Sequence, residues 1–387
     1  MSLGGSSAVP VSRKGKVLFV GSVFNGMQYG SYEVVRRLLH QYDSSSFGIV
    51  SAAYRSDASY DFASQTITVG FHRLPTGKLG VIVGMLQIPL MFIKAFLSCR
   101  KSSYVAIVAV HPSMDMLLVA LFLAKWMRLP LFPYLHDTIV EAQEKSRLAP
   151  LARWTQRHVF SAARKILVMS EGMQTYYRRI YGVKSVVVPH IYSERPAADV
   201  SLVHAKTLFW SGGIYGINDH AVLEVVKAAT SLGVTTRITA PGGAARARVE
   251  AWRRKGLLVE AVYYPERKDY IDALRVQGAH VLALNHPSVA EFGEGELATI
   301  FPTKTPDYLA SGRPILVFCP NHYELATYFS KHRCGIVVSR TEDLRPAIQE
   351  ILTDNSATRD MARNGLSLVK GFSPKSVAET LSGAIDG

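Results

Sequence analysis

Five successive residues, Thr303-Lys304-Thr305-Pro306-Asp307, bring hydroxyls, a cation and a carboxylate to what reads as a helix start. Thr305 is of the N-cap type, Pro306 suits the first helical position and Gly312 the end, so the spacing predicts a short helix over 306–311. Free amides and the dipole at such a terminus favour an anion, and Lys304 adds a full charge; a diphosphate fits there. Asp307 falls in the first turn, within reach of sugar hydroxyls. The same residues also read as a capped helix with a solvated lysine. Upstream, Glu291, Glu294 and Glu296 put three carboxylates into six residues. His136-Asp137 follow the apolar run LFPYL, at the carboxyl end of a predicted strand, where open α/β sheets carry their sites. A lone histidine is more often structural. The pairs Gly212-Gly213 and Gly242-Gly243 follow further strand-like runs and permit close backbone approach to a ligand, or plain turns.

The elements that must position these residues alternate along nearly the whole chain. KVLFVGSV (16–23), YVAIVAV (104–110), LFPYL (131–135), KILVMS (165–170) and SVVVP (185–189) read as strands. Helical patterns lie between them; Ser31 and Ser170 are candidate caps. A second series starts at KTLFWSGG (206–213) and continues through TTRITAPGG, LLVEAVYY, AHVLALN, PILVF and CGIVVS. Gly233 suits a helix end and Thr341 a helix start. Strands alternating with helices mean parallel sheets covered on both faces, and the restart near 206 means two doubly wound, Rossmann-like α/β domains with a ligand between them. YSERPAADVSLVHA (192–205) reads as the linker.

Composition bounds the partners. The chain has 387 residues, 48% apolar and 19% charged, which excludes a disordered protein. Lys and Arg exceed Asp and Glu by 14, and the excess is one-sided: residues 1–190 hold 22 basic and 9 acidic side chains, the rest 22 and 21. A basic half beside a neutral half implies contact with something anionic. Cys99, Cys319 and Cys334 form no C-x-x-C pair, so neither a disulfide framework nor a structural zinc site is indicated, and a reducing cytoplasmic home is expected. The start has no apolar run of the kind a signal peptide needs. Leu79 to Leu97 is apolar but interrupted by Gln87, Pro89 and Lys94, with Arg73, Lys78, Arg100 and Lys101 around it. It reads either as a core helix or as one lying in an anionic membrane interface, rather than as a span.

The stretch Glu291 to Phe318 resembles the donor-binding segment of GT-B glycosyltransferases of family 4. There F-P-[ST]-K-x-x-[ED]-Y-L-A-x-G-[KR]-P-[IV] precedes a buried strand. Here the residues are Phe301-Pro302-Thr303-Lys304, Asp307-Tyr308-Leu309-Ala310 and Gly312-Arg313-Pro314-Ile315. The resemblance implies a GT-B architecture, two Rossmann-like domains facing each other across a cleft. Residues 1–190 would be the acceptor side, 191–370 the donor side, and 371–387 a helix crossing back. It implies donor ribose at Asp307, diphosphate at Thr303 and Lys304, with Tyr308 beside them, and the donor base near Tyr263-Tyr264-Pro265. Gly212 and Gly213 would lie near the phosphates, Gly26 and Gly30 in the acceptor-side loop, and His136 with Asp137 near the reacting carbon. Many members carry E-x7-E; its second glutamate maps onto Asp307 and its first onto Thr299, which is not acidic. Glu291 and Glu294 as catalytic groups, and Glu296 on the donor side, are the nearby carboxylates that could stand in.

So read, the protein moves a sugar from a nucleotide-diphosphate-sugar to an acceptor hydroxyl, with retention by resemblance and without a metal ion or other cofactor, since no carboxylate pair has metal-ligand spacing. The basic first half suits a lipid-linked acceptor and contact with an anionic membrane, peripheral on the inner face, in polysaccharide or cell-envelope assembly. Nucleic acid is not expected, for lack of a motif. Two other readings stay open, a GT-B-shaped sugar-nucleotide epimerase and a catalytically silent nucleotide-sugar-binding relative.

Overall fold

The Val-, Ile- and Leu-rich runs lack polar alternation, so their strands need cover on both faces. In a computed structural model, which describes residues 10–24, 30–52, 65–69, 78–99, 103–200, 205–240 and 242–387, they build two all-parallel sheets. The first contains β1 (Lys16–Gly21), β2 (Phe47–Ser51), β3 (Thr66–Thr68), β4 (Tyr104–His111), β5 (Leu131–Leu135), β6 (Ile166–Val168) and β7 (Ser185–Val187), in the order β3-β2-β1-β4-β5-β6-β7. The second contains β8 (Thr207–Trp210), β9 (Thr235–Thr239), β10 (Val259–Val262), β11 (Ala279–Ala283), β12 (Ile315–Phe318) and β13 (Ile336–Val338), in the order β10-β9-β8-β11-β12-β13. In each sheet the order reverses beside the first strand, the position at which such sheets bind ligands.

The chain divides into two units, residues 1–191 with 373–387, and residues 192–372. Ser373 caps the last helix, Pro374–Asp386, by accepting from Ser376 N. That helix buries Val377, Ala378, Leu381, Ala384 and Ile385 in the first unit's core with Phe19, Leu38 and Leu39. Tyr42 Oη donates to Ala378 O at 2.7 Å, and Ser12 Oγ to Asp386 Oδ1 at 2.6 Å.

Several local readings differ. β2 and β3 are strands that the periodicity did not single out, being short and flanked by serines and threonines. The helix after β1 runs Gly30–Leu39, so Ser31 lies inside it. Thr341 opens a 3-10 turn, and the helix proper is Leu344–Ile351. The predicted helix 306–311 runs Thr305–Ala310, with Lys304 at the N-cap position and no side-chain capping bond. Gly312 follows it at φ +69°, the left-handed conformation that ends helices and favours glycine. Ser170 does cap its helix, accepting from Met173 N at 3.1 Å.

The apolar stretch 79–97 lies in one helix, Lys78–Cys99. Ile88, Met91, Ala95 and Cys99 are buried in the first unit's core, whereas Leu86, Leu90, Ile93 and Leu97 are exposed. Among the described residues no helix is long and apolar enough to cross a membrane.

Candidate functional site

In the second unit the segment after β8 meets the start of helix Thr305–Ala310. The Lys304 ammonium lies 3.2 Å from the centroid of the Trp210 ring and donates to Ser211 O. A side chain at Gly212 would put its Cβ 3.6 Å from Lys304 Nζ, and Gly212 itself sits at φ +99°, so this turn requires glycine. Burial drives the Lys304 pKa well below that of an ordinary lysine. A cation so placed, with a neutral carbonyl and a ring face as its partners, is complementary to an incoming anion.

The loop under that cation is pinned at several atoms. Ser211 N donates to Tyr308 Oη at 2.7 Å, Tyr270 Oη donates to Ser211 Oγ at 2.9 Å, and Gly212 N donates to Thr239 Oγ1 at 2.8 Å. Tyr308 is fully buried, its ring stacked on His280 at 4.3 Å. It therefore stands behind the loop and shapes it, and the expectation that Tyr308 meets a donor directly is corrected: no surface of it is open to a ligand.

Asp307 is nearly buried, and both its oxygens accept from Arg267, at 2.9 and 2.5 Å. Arg267 also donates to Glu194, at 2.7 and 3.2 Å. Each carboxylate oxygen of Asp307 keeps a second lone pair, so the pairing orients Asp307 without exhausting it. The helix terminus offers less than its sequence suggests. Thr305 N already donates to Pro302 O at 2.9 Å and Pro306 has no N–H. Lys304 thus carries most of the attraction for an anion.

The other expected donor residues are spread around this centre. Tyr263 and Pro265 are exposed; Tyr264 is half-buried and packs on Phe209, ring centroids 6.4 Å apart. Gly213 lies next to Tyr215. Thr303 is exposed beside Lys304. Of the carboxylates, Glu291 is exposed beside Gly216, Glu294 is exposed and 3.0 Å from His322 Nε2, and Glu296 is buried in helix Glu294–Thr299. Thr299, at the position of the absent first glutamate, is buried, and its hydroxyl donates to Gly295 O at 2.9 Å within its own helix.

In the first unit, His136 and Asp137 follow the last residue of β5. Neither ring nitrogen of His136 has a hydrogen-bond partner among the described residues. Burial, reinforced by His190 and His111, holds its pKa well below that of a free histidine. Burial pushes Asp137 up to about 6 and His111 down to about 4. His111 ends β4 and approaches Thr138 O at 3.3 Å, so neighbouring strands deliver neutral imidazoles to one end of the sheet. Of the acceptor-side glycines, Gly30 opens a helix, and Gly26 lies outside the described residues.

Arg267, Glu194, Ser211, Thr239, Tyr270, His111 and His190 were not singled out from sequence. The hydrogen bonds described above for Arg267, Glu194, Ser211, Thr239, Tyr270 and His111 span 27 to 97 residues, and no local spacing links the partners. The nearest signal was charge: Arg267 is the second residue of ERKDY (266–270), directly after the expected base-binding residues.

Residues 30–190 match a family described as a glycosyl transferase 4-like domain. No curated protein matches the chain in sequence. In structure it is similar to sucrose-phosphate synthase from Thermosynechococcus elongatus, at 15% identity and TM-score 0.71, covering 95% of this chain and 98% of that one. HepE of Anabaena in complex with UDP-glucose gives the same identity, TM-score and coverage. The lipopolysaccharide outer core galactosyltransferase WaaB gives 12% and 0.63, covering 96% and 99%. The chain thus has the GT-B fold of these structures, and residues 30–190 of its first unit match a glycosyl transferase 4-like domain.

Proposed function

We propose that this GT-B-fold protein is a glycosyltransferase that moves a sugar from a nucleoside-diphosphate sugar, held by its second unit, to an acceptor hydroxyl presented to its first, with retention at the anomeric carbon. The observation that carries the reading is Lys304: a withdrawn ammonium over Trp210, beside a glycine turn at the sheet's switch point. As the glycosidic bond breaks, negative charge develops on the departing diphosphate. Lys304 can exchange its carbonyl partner for a phosphate oxygen, a stronger acceptor in the same low-dielectric setting. No metal ion is required in this scheme. Arg267 fixes the Asp307 carboxylate for the donor's sugar hydroxyls, and the neutral His136 offers a ring N–H to a hydroxyl of the transferred sugar. Glu291 and Glu294, both exposed, are the carboxylates available to replace the missing glutamate.

The acceptor is anionic and lipid-linked in this reading, because the first 190 residues carry the charge excess. That places the enzyme on the inner membrane face, in assembly of a polysaccharide or envelope glycan. HepE holds UDP-glucose, so UDP-sugars are the first donors to test. Calorimetric titration of UDP, GDP and ADP into the wild type, Lys304→Ala and Asp307→Ala tests the site. At least one diphosphate should bind the wild type, and both variants should weaken it. Undiminished affinity in both would remove the donor site from this turn. Turnover in EDTA equal to that in magnesium supports the metal-free scheme; dependence on the ion overturns it.

A further inference from the structure

The helix Lys78–Cys99 is apolar on more than the face it buries. Its inward residues, Ile88, Met91, Ala95 and Cys99, recur at steps of three and four, as a helix packed on a core demands. A second stripe with the same step, Leu86, Leu90, Ile93 and Leu97, faces solvent at 71%, 54%, 49% and 51% exposure. Beside it, Trp126 of helix Met114–Met127 is 68% exposed while its ring touches Phe92 and Phe96, with centroids 6.0 and 6.1 Å apart. Four large aliphatic side chains along one helix, continued by a tryptophan on the next, form a connected apolar surface rather than scattered exposed residues.

Among the described residues, the helices that carry this surface are basic but for one residue. Helices Lys78–Cys99 and Ala149–Ala162 contain no acidic residue, and Met114–Met127 contains only Asp115, in its first turn. Lys94, Lys125, Arg128, Arg153 and Arg157 are all exposed on or just beyond these helices. An apolar stripe with a tryptophan and a basic surround matches what an anionic bilayer surface presents: acyl chains just below a negatively charged headgroup layer. A soluble protein partner would have to be both strongly apolar and acidic.

We propose that this face of the first unit docks on anionic lipid membranes, with Leu86, Leu90, Ile93 and Leu97 entering the interface and Trp126 at headgroup level. The inference deepens the membrane-side role proposed above and rests on it only for its purpose, since docking needs neither donor nor acceptor. The helix lies along the bilayer, and Lys94 and Lys125 reach outward to the lipid headgroups.

The test uses the full chain with vesicles of phosphatidylcholine alone or with phosphatidylglycerol. Co-sedimentation should be strong only with the anionic lipid, and should fall as salt is raised toward 1 M, where the screening length is about 3 Å. Leu90→Ser/Leu97→Ser should weaken partition roughly tenfold or more. Lys125→Ala and Arg128→Ala should each weaken it about fivefold. Tryptophan emission should shift to the blue on binding in the wild type and shift less in Trp126→Phe, a readout that does not depend on how the serine variant folds. Absence of binding to anionic vesicles at low salt overturns the proposal. So does unchanged partition in the serine variant, or sedimentation velocity showing that the stripe instead joins two copies of the chain. Vesicle binding lost while nucleoside-diphosphate binding persists sinks this inference alone; the converse sinks only the assignment of the donor site.

Discussion

Replacing Lys304 with methionine should move two measurements very differently. Without ligand, the ammonium of half-buried Lys304 lies 3.2 Å from the Trp210 centroid, with one hydrogen bond to a carbonyl. The cation–π contact and hydrogen bond favour it; lost hydration opposes it and depresses its pKa. Methionine is of similar length, keeps the ring contact and removes the desolvated charge. Exchanges of a buried charge for an apolar side chain of similar volume are often neutral or stabilising. The unliganded protein should therefore melt within about 4 °C of the wild type, corresponding to roughly 1 kcal/mol for a unit of this size. In the complex, the variant lacks one charge-assisted bond to phosphate, about 1.5–3 kcal/mol, or roughly 10- to 150-fold in Kd. Calorimetric titration with UDP, beside thermal unfolding of the same preparations, reads both quantities. A Kd changed less than about threefold would refute the argument, and a large fall in melting temperature with affinity intact would make Lys304 a structural residue.

Arg267→Ala should cost about 2–3 kcal/mol, discounted for its partial exposure, because nearly buried Asp307 would lose both its hydrogen bonds. Chemical denaturation of Arg267→Ala, Asp307→Ala and the double variant should show a coupling of about 1 kcal/mol or more, and additive effects would deny the pairing. Tyr308→Phe removes the acceptor of Ser211 N–H, and should cost about 1–2 kcal/mol of stability and weaken diphosphate binding without touching the ligand; the same titration and melts check it. His111 and His136 are neutral in the fold and take up protons on unfolding below about pH 6.5, so their contribution to stability falls as pH drops from there toward 4. Asp137, pushed up to about 6, works in the opposite sense, because the folded form holds its proton more tightly. Asp137→Asn should therefore steepen the acid loss, which urea denaturation at pH 4.5 to 7 would measure.

The short helix within the run from Phe301 to Ile315 was legible in the sequence, because Pro306 and Gly312 act on their own neighbours in the chain. The strand LFPYL likewise kept its bounds, Leu131–Leu135. β2 and β3 were not legible, since five and three residues without alternation carry too little pattern and owe their strand form to pairing beside β1. The helix terminus has fewer free amides than its sequence implies, because Pro302 turns its carbonyl onto Thr305 N, a contact that no residue type announces.

The amino-acid sequence by itself determined which segments are apolar enough to be strands, where helices start and stop, and that one half carries the positive charge. Those properties depend on side chains within a turn or two of each other. Only the tertiary structure decided that Lys304 meets Trp210, that Arg267 meets Asp307, and that one stripe of the helix Lys78–Cys99 is buried while the other faces water. Those outcomes depend on strand order and on what packs against each face, and residues far apart in the chain become neighbours only when the sheets close around them.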